Sequence, residues 1–291
     1  MNKTKTISSP LDIGFSGWKK ILLRLFSRLM DNLIYIVSAG VAFYAFIAIF
    51  PAIIALISIY GLAVDPQMAQ EQIQNLAGMM PQEAFSIIET QIQNLVSTTS
   101  SALGWGTILG ILISLWFANN GTKSIFTGLD FAYDTVSERS FIKHNAMTLL
   151  FTFCGIILLI ISMGFIVIFP ALVQVMGLPE NIETLISWLR WPLLALLVVT
   201  AICWIYKYAP DRETPKFRWV VLGAIIATIL WLLASWGFSY YVSNFANYGE
   251  MYGSIAAVVI LMFWLFISSL TLLLGGELNS AAEAYAQNEL E

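Results

Sequence analysis

The chain has 291 residues, a hydrophobic fraction of 58%, only 11% charged residues and a mean hydropathy of +0.78. Soluble domains carry about 25% charged residues and their helices need a polar face, so a soluble globular fold is excluded. The formal net charge of −4 says little by its sum; the placement of the charges says more.

Residues 1–31 form a basic segment with Lys3, Lys5, Lys19, Lys20, Arg24 and Arg28, and no cleavable signal peptide is read ahead of the first apolar run. Phe15 to Met30 reads as an amphipathic helix, with Trp18, Ile21, Leu22, Leu25 and Leu29 on one stripe and Lys20, Arg24 and Arg28 on another. Such a helix is expected in the headgroup plane, its cations against anionic lipid. The first uncharged run, about 33–62, is long enough to cross a bilayer, with Pro51 as a tolerated kink. The acidic, Gln-rich segment 65–100 is expected to hold two short helices on the outer face, started at Pro66 and Pro81.

The second span, 101–120, carries Ala102, Gly106, Gly110, Ser114 and Ala118 at a spacing of four, a flat face for close helix packing. Asn119, Asn120 and Lys123 close its inner end. The third, fourth, fifth and sixth spans are expected at 146–176, 187–208, 219–242 and 251–276. Arg190 lies at the outer end of the fourth, between Trp188 and Trp191. Glu277 and Asn279 close the sixth, and 281–291 reads as an acidic tail. Residues 32–280 are therefore expected to be a single membrane domain of six helices.

Lys and Arg are retained in cytoplasmic loops. The first, third and fifth loops hold no basic residue except Arg190, whereas Lys123, Arg139, Lys143, Lys207, Arg212, Lys216 and Arg218 lie on the other side. Both termini are thus expected in the cytoplasm.

No charge sits at mid-membrane, which argues against a simple proton relay. The single histidine, His144, has no second His to share a hydrolytic metal site, and no phosphate-binding glycine loop occurs. No cofactor, metal or enzymatic activity is expected, and nucleic-acid binding has no basic surface beyond the one that sidedness explains. Cys154 and Cys203 read as small buried hydrophobes without a disulfide. Lys123 and Glu277 read either as an interfacial ion pair or anchor, or as a polar inner mouth of a pathway; Arg190 reads as a snorkelling anchor.

Four segments carry a resemblance: Ala39-Gly40-Val41-Ala42-Phe43-Tyr44-Ala45-Phe46 running on to Phe50-Pro51, Ala132-Tyr133-Asp134, Tyr208-Ala209-Pro210-Asp211-Arg212, and Tyr252-Gly253-Ser254 with Leu274-Gly275-Gly276-Glu277-Leu278-Asn279. Together they resemble the YihY/BrkB family, which usually has Ala where Gly276 stands here. The resemblance implies a six-helix bacterial inner-membrane protein. It also implies a link to serum resistance and to lipid or lipopolysaccharide export, the older label ribonuclease BN being regarded as a misassignment. The expected function is a transporter or a lipid- or envelope-component-translocating protein, with membrane lipid as partner and homo-oligomerisation left open. A non-transporting scaffold for an envelope partner is the alternative.

Overall fold

A computed structural model describes residues 9–30, 33–63, 100–163, 165, 180–213, 215–245 and 255–287. Among these residues the secondary structure is helical, with no strand. After a short 3-10 turn at Pro10–Asp12 come α1 (Phe15–Met30), α2 (Leu33–Ala63), α3 (Ser100–Ala132), α4 (Phe141–Met163), α5 (Glu180–Tyr208), α6 (Phe217–Phe245) and α7 (Ile255–Ala286). The helices expected within 65–100 lie outside the described residues.

Five of these helices are long and apolar enough to cross a membrane: α2 over Leu33–Pro51, α4 over Phe141–Ser162, α5 over Trp188–Tyr208, α6 over Phe217–Val242 and α7 over Val258–Ala286. Only 6–28% of their most apolar stretches is buried in the protein. Side chains such as Leu150, Ile160, Leu196, Leu233 and Trp236 face outward. Apolar surface on that scale is solvated by lipid, since soluble monomers expose apolar patches of only a few hundred Å². Cys154 belongs to this outward surface, contrary to its expected burial, while Cys203 is buried; both thiols are free.

The chain divides into two units. The smaller, Tyr44–Asn120, holds the Pro51 segment of α2, where Phe46 and Phe50 meet edge to face at 5.1 Å. Pro51 stays within a continuous helix. On α3, Gly110 is buried, Ser114 is half-buried and bonds back to the Gly110 carbonyl at 2.7 Å, and Leu109, Leu112 and Trp116 are exposed. At Gly110, Ser114 and Ala118 the small-residue face is buried or half-buried. Gly106 is helical.

The larger unit, Met1–Phe43 with Gly121–Glu291, contains the core. Its centre is the packing of α6 on α7, where Gly223, Gly275 and Ala227 bring the backbones together. Asn279 then reaches across to α6: its Oδ1 accepts from the Gly223 N–H at 2.8 Å and its Nδ2 donates to the Val220 carbonyl at 3.1 Å. Side-chain bonds tie further pairs: Thr122 to Thr152 (2.8 Å) between α3 and α4, and the Ser269 hydroxyl to the Ser38 carbonyl (2.8 Å) between α7 and α2.

α1 packs on the end of α7, burying Ile21 completely beside Leu278, Ala281 and Ala282, with Trp18 and Leu25 at the edge. Leu22, Leu23 and Phe26 remain exposed beside Lys19 and Lys20. The expected apolar stripe is thus split between a protein contact and an outward face.

Candidate functional site

The polar residues converge where the C-terminal ends of α3, α5 and α7 meet the N-terminal end of α6, and local chain geometry explains how. α3 ends in a Schellman motif: the Thr135 N–H reaches the Asp130 carbonyl at 2.9 Å and the Asp134 N–H the Phe131 carbonyl at 3.1 Å. Asp134 takes the left-handed position, φ 53°, which aspartate tolerates better than most residues. Its carboxylate points out of the turn and pairs with Arg28 and, at 3.0 Å, with Arg24. These two arginines, expected to face anionic lipid, hold the α3–α4 connection instead.

α5 ends at Tyr208 because Pro210 cannot continue it, leaving terminal carbonyls in need of donors. Arg139, from the loop before α4, supplies them. Its guanidinium donates to the carbonyls of Tyr208 (3.1 Å), Ala209 (2.8 Å) and Pro210 (2.8 Å) and its Nε to Asp211 Oδ1 (3.0 Å). The side chain is only 7% exposed and lies over the Phe126 ring.

Asp211 is the hub. Its Oδ2 accepts from the Glu138 N–H (2.7 Å) and the Ser137 hydroxyl (3.3 Å), and its own N–H donates to Asp130 Oδ1 (2.8 Å). Burial alone would raise its pKa, but the Glu138 N–H, the Arg139 guanidinium and the Ser137 hydroxyl together hold it below the ordinary 3.8. Asp130, beyond the apolar part of α3, is pushed up by burial against the opposing pull of the Asp211 N–H and Arg139.

Arg212 forks onto both carboxylate oxygens of Glu283 and lies 3.8 Å over the centre of the Tyr133 ring. Planar stacking and a bidentate fork are what a guanidinium offers and an ammonium does not. Arg212 Nε and the Tyr133 hydroxyl are buried without a hydrogen-bond partner. Residues 281–286, read from sequence as part of the tail, are helix, with Ala281, Ala282 and Glu283 buried.

Of the residues singled out in the sequence, Asp211, Arg212 and Asn279 come together here. Glu277, 8% exposed, lines a small neighbouring cavity with Arg28, Val37 and Gly128. Lys123 sits on α3 about 10 Å before Asp130, at roughly 1.5 Å rise per residue. Asn119, buried with an unpartnered Oδ1, and Asn120 lie a turn further back. Arg190 is separate: it stacks 5.1 Å from the Trp191 ring, roughly 27 Å up the helix from Tyr208. Asp130, Tyr133, Asp134, Arg139 and Glu283 were not singled out as site residues. Tyr133 and Asp134 had a signal, the Ala132-Tyr133-Asp134 segment. Arg139 and Glu283 pair with residues about 70 positions away, which no local spacing reveals. His144 packs edge-on near Phe126, and no group of three or more His, Cys, Asp or Glu among the described residues is placed to hold a metal.

Further along the helices an apolar cleft of about 280 Å³ opens between α5, α6 and α7, with Leu158 of α4 at its side. Val198, Ile202, Ile205, Trp231 and Leu272 line it. Its few hydroxyls are turned away: Thr228 bonds back to Ala224 O (2.8 Å), Thr271 to Ser268 O (2.9 Å) and Ser268 to Trp264 O (2.8 Å). The cleft presents hydrocarbon, without a charged group.

The family described as Virulence factor BrkB matches residues 25–291. The chain is 31% identical over 276 residues to the ribonuclease-like protein YfkH of Bacillus subtilis (strain 168), covering 89% of this chain and 94% of that protein. A UPF0761 membrane protein of Xanthomonas campestris pv. campestris (strain B100) is 35% identical over 94 residues, 32% of this chain and 22% of that one. A UPF0761 membrane protein of Xanthomonas oryzae pv. oryzae (strain PXO99A) is 36% identical over the same share. No solved structure matches. A match running from within α1 to the last residue, on a chain whose apolar helices face outward, makes this a membrane protein that belongs to the Virulence factor BrkB family.

Proposed function

We propose that this chain is a six-span protein of the bacterial inner membrane that moves a lipid or a lipid-linked envelope component between leaflets, with both termini in the cytoplasm. The observation that carries this is the apolar cleft between α5, α6 and α7, which is uncharged and lined by side chains that an acyl chain can replace lipid to touch. The network around Asp211 lies at the end of the same helices, at the cytoplasmic face in this reading. α3 supplies the sixth span, and α1 lies in the headgroup region with Leu22, Leu23 and Phe26 inward and Lys19 and Lys20 beside phosphates.

A nuclease reading, suggested by the name of the Bacillus relative, draws no support from the network, whose carboxylates Asp134, Asp211 and Glu283 are each taken by arginine. The scaffold reading rests on the small-residue face of α3 and on the absence of charge within the spans; Gly110 on that face is buried within the chain.

Two measurements test the proposal. Cysteines placed at Gln72 and Gln287 are expected to label from opposite faces of the membrane; labelling from the same face removes the topology. Proteoliposomes carrying fluorescent phospholipids or lipid A precursors are expected to show protein-dependent loss of leaflet asymmetry, slowed several-fold by Ala201→Trp, which fills the cleft. Equal rates with and without protein across the lipid panel would end the translocation reading.

A further inference from the structure

We infer that a second, polar cleft, between the start of α6 and the end of α7, binds a phosphate-bearing anionic group. This goes beyond the translocation proposal and holds whether or not the protein moves lipid.

The cleft has a volume of about 510 Å³ and is lined by Arg212, Lys216, Arg218, Trp219, Glu283 and Gln287, with Glu213 at its edge. Three cations face two carboxylates, so the formal balance is +1. Arg212 and Glu283 neutralise each other, which leaves Lys216 and Arg218 against Glu213, still +1. Both Glu283 oxygens hold Arg212, and the pair is largely buried, at 16% and 11% exposure. Arg212 is thereby fixed in orientation by Glu283 on one side and the Tyr133 ring on the other. A preoriented guanidinium loses little freedom on binding an oxyanion.

Lys216 and Arg218 have the opposite character. Both are exposed, and neither takes part in an ion pair among the described residues. Lys216 precedes, and Arg218 lies in, the first turn of a 29-residue helix that has no acidic residue there to offset its positive end. Other basic side chains of the same region are committed: Arg24 and Arg28 to Asp134, Arg139 to Asp211, and Lys207 to the faces of Phe217 and Tyr208. Lys216 and Arg218 thus border a concavity without an ion-pair partner among the described residues. Trp219, half-buried, sits between them and the apolar body of α6, where an amphipathic indole marks a water–membrane boundary.

A tetrahedral phosphate, with acceptors in several directions, matches donors arriving from a fixed guanidinium, a mobile ammonium and a mobile guanidinium better than a planar carboxylate does. Two sources supply that chemistry: the headgroup of an anionic phospholipid, entering beside Trp219, and a soluble phosphate compound from the aqueous side.

The test uses the full chain in a neutral detergent, titrated with dihexanoyl phosphatidylglycerol, dihexanoyl phosphatidylcholine and inorganic phosphate, and compared with the double variant Lys216→Gln/Arg218→Gln. Both side chains are exposed, so the variant is expected to melt like the parent chain; Glu213→Gln provides a second variant that changes the balance in the opposite direction. Phosphatidylglycerol is expected to bind more tightly than phosphatidylcholine, to lose tenfold or more in the double variant and to gain a few-fold in Glu213→Gln. Displacement by inorganic phosphate at similar concentration assigns a soluble source; no displacement assigns the lipid. Equal affinity of every phosphate-bearing probe for the parent and the double variant overturns the site. Because binding is read without transport, that failure leaves the translocation proposal standing, and static lipid in proteoliposomes leaves this one standing.

Discussion

Arg139→Ala is expected to be the most damaging polar substitution among the described residues, lowering stability by about 3–5 kcal/mol, a fall in the thermal midpoint on the order of 10 °C for a chain of this size. One nearly buried side chain supplies four bonds, three of them to carbonyls that close α5. Alanine removes all four guanidinium bonds at once, leaving Asp211 with its bonds from the Glu138 N–H and the Ser137 hydroxyl. Asp211→Asn should cost less, because the three carbonyl bonds remain. Asp130→Asn should cost least: burial already disfavours its charge, and the amide oxygen can still accept the Asp211 N–H.

The two aspartates also act oppositely on pH dependence. Asp211 has a depressed pKa, so its contribution is present above the ordinary value of 3.8 and is lost as pH falls through the lower folded value. Asp130 has a raised pKa, so its contribution is present below 3.8 and is lost as pH rises through the folded value. Melting curves of the three variants in detergent, at neutral pH and near pH 4, check the order. An Arg139→Ala protein that melts with the parent, or an Asp130→Asn protein that melts below Asp211→Asn, contradicts this account of the network.

Most of the helical layout could be read from the sequence because long uncharged runs have few other uses. The ends could not. α3 was expected to stop near residue 120 and instead runs to Ala132, because Phe126, Leu129 and Ala132 supply a buried face after the lipid-exposed part has ended. α7 was expected to stop at 276 and instead runs to Ala286, because Arg212 neutralises Glu283 and lets a charged turn stay buried. A rule based on absence of charge misses both, since it treats every charge as a boundary. The arginines of α1 illustrate the same limit. Their spacing identified a cationic stripe, but the partner that claims two of them, Asp134, is held by a left-handed cap more than 100 residues away. Asp211, Arg212 and Asn279 were marked from the ends of spans and the resemblance; the residues that complete the site are their partners, and partnership is a property of the fold.

Two adjacent glycines on α7 should respond to alanine to very different degrees. A Cβ on Gly275 would meet the Gly223 carbonyl oxygen at 2.6 Å and the Ala227 Cβ at 2.7 Å, as well as the Tyr206 hydroxyl. Neither backbone nor a β-carbon can step aside, so α6 and α7 must separate. Separation would also stretch the Asn279 bonds to Gly223 and Val220 and the Tyr206 bond to the Leu272 carbonyl. Gly275→Ala is therefore expected to cost about 1–3 kcal/mol or more, as overpacked sites do. At Gly276 the only close approach is to Leu129 Cδ2 at 2.6 Å, the mobile end of a side chain; the next atoms lie at 3.6 and 3.9 Å. A rotation of Leu129 makes room, and alanine in a helix regains up to about 1 kcal/mol over glycine. Gly276→Ala is thus expected to fall within about 1 kcal/mol of the parent, in either direction. This fits the resemblance, in which alanine is usual at this position and glycine at the one before it. Thermal unfolding of the two single variants decides the matter: if Gly275→Ala unfolds no earlier than Gly276→Ala, the close approach of α6 and α7 is not what holds this end of the bundle together.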